Sequence, residues 1–350
     1  MSAPEATSGI IRVSRFTRRL FIGSTAAIAA GAATSVPFPG RATLMVGGAV
    51  GGAADDWAGW LAPGLLRALP PGTAVRKEMV GGADGVTAAN QFDALTEPDG
   101  GTALLMPGSA AMAWLVGDPR ARFDAAQWVS ALAGITPGLV VSRVAIARGA
   151  RIRLAASTPA GPELPAMLAL DMLGGTWSPV FGLSDTAAFD ALAKGQVDAI
   201  CLRGRRVAEA VQQLGTTGAR PVFTFGSVDT AGGRQRDPAF AETPALSELL
   251  VRQDFSEALR RAWFATAAAS DLDVTLVLPH LTPAAIVALW RHAAAQAVAA
   301  ASVQAHAAAQ GVRPQLAPAA AASTAAMLAD ASGQLALRGW MAQRLDYRPG

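Results

Sequence analysis

The stretch Leu44–Trp57, "LMVGGAVGGAADDW", decides how the chain is read. An apolar run ends in Gly47-Gly48, a second glycine pair stands at Gly51-Gly52, and Asp55-Asp56 then open a helical pattern, "DDWAGWLAPGLLRALP". A strand, a bare loop and a helix with acidic residues in its first turn form the opening unit of an open α/β sheet. Carboxylates at a helix start complement its dipole. Neighbouring residues on a helix point apart, so the aspartate pair reads as helix capping rather than as acid/base chemistry.

Outward from this unit the rhythm repeats. "GTAVRKEMV" is a second strand, and it too ends in glycines, "GGADGVTAANQFDAL". "EPDGGTALLMPGSAAMAWLV" gives a turn, a third strand, a small-residue loop and a helix. From 139 to 262 a second α/β domain is expected, with strands at "GLVVSRVAIA", "RIRLAAS", "WSPVFG", "VDAICL" and "ARPVFTFGS". The helices between them are "ELPAMLALDMLGG", "DTAAFDALAKGQ" and "VAEAVQQLGTTG". The chain then returns through "EALRRAWFATAAA" to a strand, and from "PAAIVALWRHAAAQAVAAASVQAHAAAQG" onward it reads as helical.

With 350 residues the chain is long enough for about two domains. The mean hydropathy of +0.31 would suit a membrane protein, but it comes from alanine, and no apolar run reaches the roughly 18–20 residues of a spanning helix. The net charge of +3 rests on Arg12, Arg15, Arg18 and Arg19. Without those four the balance is close to neutral, so there is no electrostatic case for nucleic acid. A single cysteine, Cys201, excludes an internal disulfide and reads as a small buried hydrophobe.

Those arginines belong to an address. "SRFTRRLFI" carries Arg18-Arg19 before apolar residues, and "LFIGSTAAIAAGAA" is a short run of small residues ending near Ala33. Residues 1–33 are expected to be a twin-arginine signal peptide, which implies export of the folded chain to the periplasm.

Four loops rich in Gly, Ser or Thr follow strands: Gly47–Ala54, Gly81–Gly85, Pro107–Ala110 and Ser157–Gly161. Glycines let backbone N–H groups approach a ligand, and helix N-termini add partial positive charge. Ligands of open α/β sheets bind beyond the carboxyl ends of the strands. The loops therefore form a candidate anion site that needs neither Arg nor Lys. No dinucleotide fingerprint, P-loop or nucleophile elbow is present. His280, His292 and His306 all fall late in the chain, without partners for a metal. A periplasmic hydrolase built on Ser109 would need one of them beside that serine.

These residues resemble the periplasmic solute-binding proteins of tripartite tricarboxylate transport systems, the Bug family, over about residues 42–345. The matching elements are Gly51, Gly52 and Asp55 at the first helix, the altered loop Gly81-Gly82-Ala83-Asp84-Gly85, and the turn Pro98-Asp99-Gly100-Gly101-Thr102. Gly195-Gln196-Val197-Asp198, Pro244-Ala245-Leu246-Ser247-Glu248, Trp263-Phe264 and Thr282-Pro283 follow in order. The resemblance implies a two-lobed α/β periplasmic-binding-protein fold, each lobe a mostly parallel sheet flanked by helices. Lobe I would be 41–138 plus 263–350, and lobe II 139–262, with the ligand cleft between them.

It also implies a receptor rather than an enzyme, one that closes on a small organic acid and uses no cofactor or metal. Gly51, Gly52, Gly81, Gly82, Gly108 and Ser109 would supply first-lobe contacts, and Ser157, Thr158 and Gly161 would close from the second. Asp55 would orient the first loop or hold a bridging water, and Phe181 would wall the pocket. The implied partners of such a monomer are membrane permease subunits or a sensor kinase. The chain departs from the family pattern at Gly47-Gly48, where the family has Pro-Phe, and at "SPVFGLSD", which lacks the family's Tyr and Lys. Asp84 would repel a carboxylate unless it points away or binds an amino group. A scaffold that has lost its ligand, or a Ser109 hydrolase, are the rival readings.

Overall fold

A computed structural model describes residues 38–146, 150–183, 185–250 and 255–349. The export signal expected at 1–33 lies outside the described residues.

The chain opens as strand β1 (Arg41–Gly47), helix α1 (Ala53–Ala68), β2 (Ala74–Val80), α2 (Val86–Leu95), β3 (Thr102–Met106), α3 (Gly108–Val116) and β4 (Val129–Ile135). Thr136-Pro137-Gly138 then carries it directly into β5 (Leu139–Ser142) of a different sheet. Next come β6 (Arg151–Ala155), α4 (Leu164–Met172), β7 (Thr176–Val180), α5 (Asp185–Ala193), β8 (Ala199–Leu202), α6 (Val207–Gly215) and β9 (Arg220–Thr224). A short hairpin of β10 (Ser227–Val228) and β11 (Arg234–Gln235) follows, then α7 (Leu246–Leu249) and α8 (Glu257–Asp271). The chain returns to the first sheet at β12 (Leu272–Leu278). It finishes with α9 (Ala284–Val298), α10 (Ala301–Gln310), β13 (Arg313–Leu316), α11 (Ala319–Ala326) and α12 (Ala331–Arg344).

The first sheet has the order β13-β4-β12-β3-β1-β2, and the second β7-β6-β8-β5-β9. Both are mixed rather than mostly parallel. The βαβ units β1-α1-β2 and β6-α4-β7 keep their strands parallel, as a helical crossover demands. The strands that carry the chain between sheets have no such crossover. β12 runs antiparallel to both β3 and β4, and β5 antiparallel to both β8 and β9.

Burial explains the choice of residues. β1 and β3 are nearly continuous apolar runs because both faces are covered by helices. The Trp57 indole lies against Gly134, where any Cβ would stand 2.6 Å from its ring. Trp290 is fully buried and donates to the Gly100 carbonyl at 2.9 Å. The alanine-rich terminal region is not one long helix. It breaks between α9 and α10 with a 75° bend, and no single helix among the described residues is long and apolar enough to cross a membrane. The region also contains the strand β13, whose Pro314 hides it from sequence reading. Proline is tolerated there because β13 is an edge strand.

Candidate functional site

A cleft of about 490 Å³ lies where loops of the two sheets meet, a size suited to a small ligand. One wall is built on α3. Ser109, Met112, Ala113 and Val116 all line the cleft, and their spacing of three, four and seven residues puts them on one helical face. Gly108 is buried because the start of α3 is pressed against the junction of α8 and β12. A Cβ there would run into the carbonyl oxygens of Ala269 and Leu272. The first turn of α3 has no side-chain cap. The Ser109 hydroxyl instead donates to the Asp84 carbonyl at 2.9 Å, which ties α3 to the loop before α2.

The facing wall is the loop between β6 and α4, through Thr158, Ala160, Gly161 and Pro162. Glu163 organises it, accepting from the Ser157 hydroxyl at 2.7 Å and the Ser157 N–H at 3.2 Å. A Cβ at Gly161 would stand 2.5 Å from that hydroxyl, so a larger residue there would push the Ser157–Glu163 contact aside. Ser270 donates to the Pro162 carbonyl at 3.1 Å and joins the two walls at their base.

Of the residues singled out from the sequence, Gly108, Ser109, Thr158 and Gly161 therefore meet in the cleft. Ser157 stands behind it, held by Glu163. Gly51, Gly52, Asp55, Gly81 and Gly82 are not among the lining residues. Gly51 adopts φ +75° and donates its N–H to Asp55 Oδ2 at 2.8 Å. The Lys77 ammonium reaches Asp55 Oδ1 at 2.5 Å. These contacts, the backbone one first, hold the Asp55 carboxyl below the usual carboxylate range. The first glycine loop thus spends an N–H group on its own helix-start carboxylate. Gly81 and Gly82 are exposed, and Phe181 is 40% exposed and also outside the lining.

Charged residues that the glycine pattern does not signal fill out the site. Asp84, Asp118, Arg120, Arg203 and Asp273 all line the cleft. Arg120 pairs with Asp118 at 2.6 Å and Asp84 at 2.9 Å. Asp84 also accepts from the Val86 N–H at 3.2 Å, which satisfies the first amide of α2. Arg203 reaches Asp185 and Glu163 only at 3.4 and 3.5 Å, and its buried Nε has no partner among the described residues. Asp273 accepts from Trp57 Nε1 at 2.7 Å and pairs with Arg205 at 3.0 Å. Arg205 continues to Asp56 at 2.5 Å and lies 5.1 Å over the Trp60 ring. Tyr347, the one tyrosine in the sequence, also lines the cleft from the tail beyond α12. The signal for Arg203 and Arg205 was their place directly after β8, the position at which the other sheet presents its loops.

The histidines stand elsewhere. His306 stacks on Trp60 at 5.5 Å and its Nδ1 lies 2.6 Å from the Ser302 carbonyl. His292 borders a separate surface pocket with Arg67 and Gln296. Cys201 is buried in β8, and burial pushes its thiol well above the usual range.

No family model and no curated protein matches the sequence. Solved structures do match over most of its length. A TctC solute-binding protein from Polaromonas aligns with a TM-score of 0.66 at 17% identity, covering 88% of this chain and all of that one. MatC from Rhodopseudomonas palustris with bound malate aligns with a TM-score of 0.51 at 19% identity, covering 87% of this chain and 100% of its own. A further R. palustris protein, solved with adipate, gives 0.53 at 15% identity, covering 89% and 99%. The chain has the two-sheet fold of these solute-binding proteins.

Proposed function

We propose that this protein is a periplasmic solute receptor that holds a small organic acid in the cleft and delivers it to a tripartite tricarboxylate-type permease. The observation that carries this reading is the uncapped first turn of α3, with Ser109, facing the Thr158–Gly161 loop across a cleft of about 490 Å³. Unpaired N–H groups at a helix start favour a carboxylate. The malate and adipate bound by two proteins of the same fold support that choice of ligand.

Residues 41–138 with 263–350, and residues 139–262, would act as the two closing lobes. The twin-arginine motif at Arg18-Arg19 supports export of the folded monomer. In the receptor reading the Ser109 hydroxyl binds and does not attack, since its proton is directed to the Asp84 carbonyl.

Thermal melting of the full chain against mono-, di- and tricarboxylates, amino acids and neutral aromatics tests the reading. A ligand present at about 100 times its Kd adds about 2.7 kcal/mol of stability to the native state. A compound bearing a carboxylate should raise Tm, and Thr158→Trp, which fills the cleft from an exposed position, should abolish the rise. No rise with any acid, or a rise that the tryptophan leaves intact, would sink the proposal.

A further inference from the structure

Three arginines stand at the cleft or directly behind it, and the fold holds them differently. Arg120 is clamped by Asp118 at 2.6 Å and Asp84 at 2.9 Å. Arg205 is clamped by Asp56 at 2.5 Å and Asp273 at 3.0 Å. Arg203, which lines the cleft, has no contact of that kind. Its neighbours Asp185 at 3.4 Å and Glu163 at 3.5 Å are both met by the single nitrogen Nη2, at the outer limit of a hydrogen bond. The Asp185 side chain is 71% exposed, so water screens that pair. Glu163 turns its other oxygen to Ser157. The Arg203 Nε is buried with no partner among the described residues, and its Nη1 donates to none of them. A guanidinium has five N–H donors, and leaving a buried one unmatched is costly.

The loop after β8 explains why neighbouring arginines differ. Gly204 takes φ +77° and Arg206 φ +58°, two left-handed positions within three residues. Arg205, between them, is sent to Asp56 and Asp273 of the first sheet's elements. Arg203, before the first of these turns, stays with the cleft, and Gly204 lines it too.

The rest of the lining suits one anionic group and an apolar body. Asp84 and Asp118 share the one guanidinium of Arg120, and Asp56 and Asp273 share that of Arg205. A second ligand carboxylate near either trio would meet like charge. The α3 face is apolar. Met112, Ala113 and Val116 extend from Ser109 along about 10 Å of helix, with Leu272 and Tyr347 also in the lining.

We propose that Arg203 is the anion anchor of this receptor, and that it selects ligands with a single carboxylate on an apolar body over dicarboxylates of the same length. This rests on the receptor reading and narrows its ligand. The ligand carboxylate takes guanidinium donors that Asp185 and Glu163 leave unmatched, in charge-assisted hydrogen bonds. The apolar body lies along α3.

Calorimetric titration of the full chain tests this with matched series. Butyrate, hexanoate and octanoate are compared with their amides and with the dicarboxylates succinate, adipate and suberate. The best monocarboxylate should bind at least about tenfold more tightly than its amide and its dicarboxylate, the value of one hydrogen bond to a charged group. Arg203→Gln should remove the preference over the amide and leave the affinity of the amide unchanged, whereas a damaged fold would weaken both alike. Arg203→Lys keeps the charge without the planar fork and should retain part of the preference. Thermal melts of both variants check the fold. A dicarboxylate that binds as tightly as the monocarboxylate, or a preference over the amide that survives in Arg203→Gln, overturns the anchor proposal and leaves the receptor reading standing. Silence of these series while another acid of the wider panel binds has the same meaning. Silence of the series and the wider panel together overturns both.

Discussion

At the scale of single residues, Asp55 shows how a motif can be legible while its role is not. The sequence places it in the first turn of α1, where a carboxylate is expected to stabilise the helix. In the fold it also closes the glycine loop on itself through the Gly51 N–H at 2.8 Å, with Lys77 on its other oxygen. Its carboxyl is held below the ordinary aspartate range by that N–H first and by Lys77 second. The folded state therefore binds the proton less readily than the unfolded chain. The stability this contributes is complete above the unfolded value and is lost as pH falls through the lower folded one. Melting temperatures measured from neutral pH to below about pH 4 should fall. Asp55→Asn should start from a lower Tm and fall less steeply. An equally steep fall in the variant would place the acid sensitivity elsewhere.

At the scale of elements, α3 is the part of the scaffold that sets the cleft. Its position depends on contact with the end of α8, and Gly108 is what permits that contact. The backbone conformation of Gly108 is ordinary for a helix start, so the requirement is space and not φ. Gly108→Ala should lower stability by about 1–3 kcal/mol, the usual cost of overpacking a closed contact. It should also weaken ligand binding, because the α3 face moves away from the Thr158–Gly161 loop. Urea denaturation and calorimetric titration read the two effects, and an unchanged midpoint would show that α3 is not seated as described. α4 makes the complementary element. It is almost wholly buried, its Pro165 carbonyl accepts from Trp263 of α8 at 3.1 Å, and its Asp171 accepts from Trp340 of α12 at 2.8 Å. Helix existence was readable here from composition and length. That α4 would be enclosed on all sides, as its unbroken apolar run permits, depended on α8 and α12, more than 80 residues away in the chain.

At the scale of the whole molecule, the two sheets are held together by apolar packing and by charge. One continuous core runs from Met45, Phe92 and Trp263 to Ile152, Leu168 and Phe223. Arg205 reaches from the loop after β8 to Asp56 and Asp273, which belong to the first sheet's elements. The side chain of Asp273 is only 6% exposed. Removing its cation from a closed molecule would cost about 3–5 kcal/mol, the penalty for an uncompensated buried charge. Opening the cleft lets water solvate Asp273 and avoids most of that cost. Arg205→Ala should therefore shift the protein toward an open form. Small-angle scattering should report a larger radius of gyration than the parent shows without ligand. An unchanged radius together with a loss of several kcal/mol in stability would mean that the sheets cannot separate there.

What the sequence determined by itself follows from local physics. Glycine and aspartate at strand ends, apolar runs of strand length and helical spacing of apolar residues specify an α/β chain and the places where its loops fall. Four candidate residues, Gly108, Ser109, Thr158 and Gly161, were legible because each sits at the carboxyl end of a strand, where such folds gather their ligand loops. The tertiary structure alone decided which of those loops share a cleft, since Gly51-Gly52 and Gly81-Gly82 have the same local signature and lie outside it. It also decided the charges. Arg120, Arg203, Arg205 and Asp273 carry no motif, and their roles come from partners up to 216 residues distant in the chain. Coulomb interactions act through space and leave no periodicity in sequence, so the electrostatic character of the site emerged only when distant segments of the chain were brought together.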